Sequence, residues 1–162
     1  EPLAEAGLPD QVVPSAFDFS PSGLLAVGAL NGGVSIIDLN DPTKPHATAQ
    51  VFDAHASLER LRFSLDGNHL LATSVEGDLW VWERAEETPA LSLRIKHPTA
   101  SIVGADLVDD QLLLALSDNT AAAWPGNATA AAADLCSRLG DPLTSQEWTQ
   151  LASGVPFMDG CS

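Results

Sequence analysis

The sequence predicts an all-β fold made of a repeated four-stranded unit, and three observations carry that prediction. A short motif recurs with Phe19, Phe63 and Leu107 at intervals of 44 residues. Each copy is followed by a tight turn and a segment that alternates with period 2. Turn signals fall about every 8–12 residues, the spacing of short strands rather than helices.

The elements follow in chain order. The first copy runs Phe17-Asp18-Phe19-Ser20-Pro21-Ser22-Gly23-Leu24-Leu25-Ala26-Val27, and the second runs from Leu61 to Thr73 with its turn at Leu65-Asp66-Gly67-Asn68. Each is an apolar strand end, a polar turn closed by Gly and a second apolar strand. The third copy, Ala105 to Ala115, replaces the turn with Asp109-Asp110, which reads as an exposed hairpin tip. A second anchor follows each copy: Asn31-Gly32-Gly33 before Val34 to Asp38, Glu76-Gly77 before Asp78 to Glu83, and Asp118-Asn119 before Thr120 to Pro125. Asn-Gly and Glu-Gly suit tight turns because Gly accepts positive φ without a steric cost. Alternation after Gly77 sends Leu79 and Val81 to one face and Trp80 and Trp82 to the other. Ala47 to Phe52 and Ala90 to Ile95 read as further strands. The tail changes character. Ala131 to Gly140 reads as a helix stopped by Gly140, and Pro142 to Trp148 opens a second, with Thr144 and Glu147 spaced as a capping box.

Composition excludes several function classes. In 162 residues, 7 Lys+Arg against 22 Asp+Glu give a net charge of −15. Such a chain repels phosphate backbones and anionic lipid, so nucleic-acid partners and a polybasic membrane anchor are excluded. With 45% apolar residues the chain can build a core. No apolar run approaches the roughly 20 residues of a membrane helix, so no direct membrane insertion is expected. With no Met at position 1 and no signal-peptide pattern, Glu1 reads as a cleavage or processing boundary.

The period, the four strands per unit, a His near the unit start (matched in two units, with no obvious His in the first) and an aromatic-plus-acid pair near the unit end resemble the WD-repeat β-propeller family. The family's Gly-His pair is matched by Ala54-His55 and more loosely by Lys96-His97; its Trp-Asp pair is matched by Trp82-Glu83 and, degraded, by Ile37-Asp38 and Trp124-Pro125. The resemblance covers residues 12–125. It implies a structural network of His55, Thr73 or Ser74, Glu76 and Trp82 in the middle unit, with Glu76 where the family has Asp. In the third unit His97, Asp118 and Trp124 match, with Leu116 where a hydroxyl is expected; in the first, Ile37 stands at the Trp position. The tail, with Cys136, the Leu143-Thr144-Ser145-Gln146-Glu147-Trp148 run, Gly154-Val155-Pro156-Phe157 and Cys161, resembles the C-terminus of large bacterial, actinobacterial-type WD-repeat proteins that carry an N-terminal signalling ATPase or kinase. That resemblance implies that the natural C-terminus is present and the natural beginning is not.

The expected organisation is an N-terminal segment or strand of a preceding blade (1–11), three WD-like repeats (12–55, 56–97 and 98–126) and a C-terminal helical cap (127–162). A propeller closes with about four to eight blades. Three repeats leave two apolar sheet faces in water, and the third unit lacks its outermost strand because helix residues begin near Ala128. The partners expected are therefore the remaining blades, supplied by another chain or by a second copy; the alternative is loss of an N-terminal half.

Cys136 and Cys161 are the only cysteines. Both lie in a tail too small to bury much core, which favours a disulfide worth about 3–4 kcal/mol of chain entropy. The other reading is two buried thiols in a cytosolic protein. A bridge would place this part of the molecule on the extracellular side of a bacterium; without one the location is cytoplasmic. Asn127-Ala128-Thr129 fits a glycosylation pattern that is common by chance.

Catalytic signals are weak. His55, Ser74 and Glu76 lack any Gly-x-Ser-x-Gly elbow or oxyanion loop. No Cys-x-x-Cys or His-x-x-x-His spacing suggests a metal, and no cofactor is expected. Asp38 to Asp41 lacks the spacing of a calcium loop and reads as a turn. His46 and His69 read as solvated. Trp80 has two readings, a partner hot spot or packing between blades. The expected function is a non-catalytic interaction module that binds a protein or peptide for an attached signalling domain. The alternatives are a propeller hydrolase with its active site in the channel and a small-molecule or glycan sensor.

Overall fold

A computed structural model describes residues 4–8, 13–51, 54–83, 89–139 and 146. The chain forms β1 (Pro14–Phe19), β2 (Leu24–Ala29), β3 (Val34–Asp38), β4 (His46–Val51), β5 (Leu58–Phe63), β6 (His69–Ser74), β7 (Asp78–Glu83), β8 (Ala90–Lys96), β9 (Ile102–Val108), β10 (Gln111–Leu116), β11 (Ala121–Pro125) and α1 (Ala128–Leu139). The strands make three antiparallel sheets in chain order: β1-β2-β3-β4, β5-β6-β7-β8 and β9-β10-β11. The first two have four strands and the third, among the described residues, has three.

The repeat extends to the irregularities. The first strand of each four-stranded sheet shifts register near its start, between Pro14 and Ala16 and between Leu58 and Arg60. The third and fourth strands shift between Ile36 and Ile37 and between Val81 and Trp82. Bulges at matching positions sharpen the local twist of each sheet in the same way. The Asp109-Asp110 tip is a two-residue hairpin with φ of 48° and 59°, the left-handed pair that such a connection requires.

Two cores lie between the sheets. The first and second sheets enclose Ala26, Val34, Ile36, Leu58, Leu61, Phe63, Leu70, Ala72, Trp80 and Trp82. The second and third enclose Leu71, Leu79, Val81, Ile95, Ile102, Leu107, Leu112, Leu114 and Leu116. The alternation along β7 is thus realised: its tryptophans enter one core, and Leu79 and Val81 enter the other. Small residues make the first interface close. A Cβ on Gly28 would lie 3.0 Å from Leu61 Cδ1 and 3.3 Å from Leu58 Cδ1, so its absence is what admits the two leucines.

At the tail, Asn127 Oδ1 accepts the Ala130 N–H at 2.8 Å, an N-cap that starts α1 at Ala128, where the first helix residues are expected, three residues ahead of the Ala131–Gly140 segment. Arg138 pairs with Asp134 one turn back at 2.9 Å. The expected second helix, apart from Gln146, and Cys161 lie outside the described residues. Cys136, on α1, is not a free thiol. No described helix is long and apolar enough to cross a membrane.

Candidate functional site

The turns on one side of the molecule join into a continuous surface across all three sheets. The β2–β3 turn meets the connection into the second sheet, where Gly32 sits against the backbone of His55 and Ala56. Val75, in the β6–β7 turn, donates its N–H to Ser57 O at 3.0 Å. Gly77 O accepts from Ile102 N at 3.1 Å, and Ser117 N donates to Ser101 O at 2.9 Å, which brings in the β10–β11 turn. Ser117 Oγ accepts the Ser101 N–H at 3.0 Å. Gly77 is required here: its φ is +81°, and a Cβ would overlap Ser101.

This surface presents two aliphatic tips at matching places in adjacent sheets, Leu30 (51% exposed) and Val75 (64%). Asn31, His55, Glu76, Asp118 and Asn119 are exposed beside them, and the turn segments 30–33, 75–77 and 117–120 contain no Lys or Arg. Asp118 is fixed by accepting the Thr120 hydroxyl at 2.6 Å and its N–H at 3.1 Å, which hold its carboxyl below the usual range.

A groove of about 610 Å³ runs along the inner strands, lined among others by Asp18, Glu59, Arg60, Arg62 and Thr73. Two polar contacts tie the sheets together there. Asp18 Oδ2 accepts the Phe63 N–H at 2.7 Å, and Arg62 pairs with Asp106 at 2.9 Å. Residues 18, 62 and 106 are one position of the repeat, each 44 residues from the next.

The residues of the expected structural network divide. Thr73, Ser74 and Trp82 are buried, whereas His55, at φ 48°, and Glu76 are exposed. Thr73 Oγ1 and Trp82 Nε1 have no hydrogen-bond partner, while Ser74 Oγ accepts the Asp78 N–H at 3.2 Å. The structure therefore does not bring the five residues into one hydrogen-bonded set. Glu76 sits at the tip of a tight turn, where its side chain points into water. Trp80, read as either a partner contact or an interblade residue, has no accessible surface and packs between the first two sheets, so it is not available to a partner.

The buried acid of this region is one the sequence reading passed over. Asp78 pairs with Arg94 at 3.0 Å and Lys96 at 3.6 Å, and the Arg94 guanidinium lies 5.2 Å from the centre of the Trp80 ring. The legible signal was the Arg94-Ile95-Lys96 run on the neighbouring strand, which register places beside Asp78. In the third unit the rings of His97 and Trp124 meet at 6.0 Å, and His97 Nδ1 accepts the Ala100 N–H at 3.2 Å. Of the two histidines read as solvated, His46 is exposed, but His69 is half-buried with Nδ1 enclosed and unpartnered. Among the described residues no cluster of His, Cys, Asp or Glu is placed to hold a metal ion.

No protein-family profile and no curated protein matches the sequence. Solved structures do match. The chain is similar to the β-propeller domain of Cps50 (Swd1) from Myceliophteria thermophila, with a TM-score of 0.62 and 14% identity over 73% of this chain and 43% of that one. It is also similar to a chain of the mitotic checkpoint complex, with a TM-score of 0.53 and 20% identity over 68% of this chain and 36% of that one. At these identities the likeness shows the fold alone: three radial sheets of a β-propeller, in a chain spanning less than half the length of either match.

Proposed function

We propose that this chain is part of a WD-repeat propeller that acts as a non-catalytic interaction module, binding a protein or peptide segment on the turn surface. The observation that carries the proposal is the pair of exposed aliphatic tips, Leu30 and Val75, set in a turn surface that bears Glu76 and Asp118 and has no cation in its three turns. Aliphatic tips give contact area, and the carboxylates favour a cationic, apolar segment over an acidic one. Short turns held on paired strands present these groups with little ordering cost on binding.

In this reading further blades, from another chain or a second copy, cover the outer faces of the first and third sheets. A Cys136–Cys161 bridge ties the tail in an oxidising compartment outside a bacterial cell, and the module serves an attached signalling domain. The tail motifs and the absence of a free thiol at Cys136 support that extension.

The test is a titration of the chain against synthetic peptides of equal length that are cationic-apolar, acidic-apolar or neutral. Cationic-apolar peptides should bind best, weaken with salt and lose about tenfold in affinity on Val75→Asp. Equal binding of all three sets, or binding that Val75→Asp and Leu30→Asp leave unchanged, contradicts the proposal.

A further inference from the structure

We infer that the groove along the inner strands is a binding site for a singly charged carboxylate with a short apolar chain, held by Arg60 and Thr73. The site is built on strands, apart from the exposed turn tips of the interaction proposal, and does not rest on that proposal. The observation that carries it is a buried donor with nothing to bond. Thr73 lines the groove, is 3% exposed, and its Oγ1 has no hydrogen-bond partner among the described residues. Leaving a buried hydroxyl unpaired is unfavourable, so an acceptor brought by a ligand is favoured there. The other hydroxyl of the groove, Ser15, already donates to Gly28 O at 3.2 Å.

A guanidinium stands beside the unpaired hydroxyl. Arg60 on β5 is the registered partner of Thr73 on β6, so the two side chains share one face, with Cβ atoms about 5 Å apart. Arg60 is exposed and forms no ion pair among the described residues, whereas Arg62, two residues on, is committed to Asp106 at 2.9 Å. Gly104 and Ala105 make the β9 wall and leave room: within 4 Å, a Cβ on Gly104 would meet only Ala115 Cβ, at 3.9 Å.

The charges select the ligand. Asp18 and Glu59 also line the groove, and Asp18 Oδ2 is occupied by the Phe63 N–H at 2.7 Å. One uncommitted guanidinium in the company of two acids suits a single negative charge and opposes a doubly charged phosphate. A carboxylate can set one oxygen on the Arg60 guanidinium and the other on the Thr73 hydroxyl. Its carbon chain then has Ala16 and the exposed ring of Phe17 to cover.

The test is a titration of the full chain followed by the amide chemical shifts of β5, β6 and β9. The probes are hexanoate, its uncharged match hexanamide, and an N-acetylated tetrapeptide of apolar residues with a free or an amidated C-terminus. Hexanoate or the free-acid peptide should shift these strands saturably, and the tighter of the two names the source of the carboxylate as a small acid or a chain end. The two amides should not bind, and inorganic phosphate should not displace the acid. Thr73→Val keeps the branched shape and removes a hydroxyl that has no internal partner. Its thermal midpoint should therefore equal or exceed the parent's, while affinity falls about tenfold. Arg60→Gln, at an exposed position, should lower affinity about tenfold or more and remove its salt dependence. The inference is overturned if neither acid gives a saturable shift below about 10 mM. It is equally overturned by amides that bind as well as the acids, by phosphate that displaces them, or by either variant keeping the parent affinity. A lowered midpoint for Thr73→Val also overturns it, by showing that the hydroxyl is bonded within the chain.

Discussion

The second sheet and its two neighbours are built from the same repeat but live in different surroundings. Both faces of the second sheet are sealed: β6 and β7 are buried along almost their whole length, and Trp80 and Trp82 have no accessible surface. In the first sheet β1 carries its phenylalanines in solvent, and in the third sheet every second residue of β10 is exposed. A repeat unit of this kind does not own its stability. Each face is worth what the neighbouring sheet makes of it.

Equivalent substitutions in sealed and open surroundings should therefore differ most. Trp82→Ala empties the first core and is expected to cost about 3–5 kcal/mol in denaturant unfolding. Phe17→Ala, at an equally apolar residue of the inner strand, should move the stability of the single chain by about 0.5 kcal/mol or less. Equal losses would erase the distinction.

The turns sharpen the comparison. Gly77 and Gly67 both have positive φ in the second sheet, but an alanine Cβ at Gly77 overlaps Ser101 of the next sheet, whereas at Gly67 the nearest atom is Pro21 Cδ at 3.5 Å. Gly77→Ala should cost about 2–3 kcal/mol, from backbone strain plus overpacking, and Gly67→Ala about 1 kcal/mol, from strain alone. Thermal unfolding of the two variants side by side reads the difference.

Asp18→Ala tests the polar tie between sheets. It leaves the Phe63 N–H without its acceptor and should cost about 1–2 kcal/mol, with Asp18→Asn recovering part of the loss.

The smallest effect is one that all three sheets share. Asp41, Asp66 and Asp118 each accept a hydroxyl bond and a backbone N–H bond within a turn, and each carboxyl is held below the ordinary carboxylate value. A depressed folded-state pKa contributes stability that is present above the unfolded value, about 3.9, and lost as pH falls through the folded values. Acid titration should show a modest decline beginning below about pH 4. Thr43→Ala, in the first sheet, and Thr120→Ala, in the third, should flatten it to a similar degree, because these turns are solvent-exposed.

How much of this was legible in the sequence follows the same division. Strand order, the hairpin tip at Asp109-Asp110 and the opposed faces of β7 were readable because period and turn chemistry are local signals. The exposed, alanine-lined outer face of the third sheet followed from counting repeats, whereas the outer face of the first sheet is open only along β1, with Val27, Ser35 and Ile37 buried. The network expected at His55 and Glu76 came from family likeness. It placed a buried acid two residues from Asp78, the residue whose partners Arg94 and Lys96 arrive from the neighbouring strand. Such pairings depend on sheet register, which a one-residue slip inverts and which no local pattern states. The turn surface was out of reach for the same reason, since its five segments are distant in sequence and adjoin only after the sheets pack.

The most direct test of the sealed-middle account is amide hydrogen exchange of the native chain, resolved by strand. The account predicts that β6 and β7 exchange last, with β1 and β11 opening well before them. Protection of β1 or β11 that outlasts β6 and β7 would contradict it.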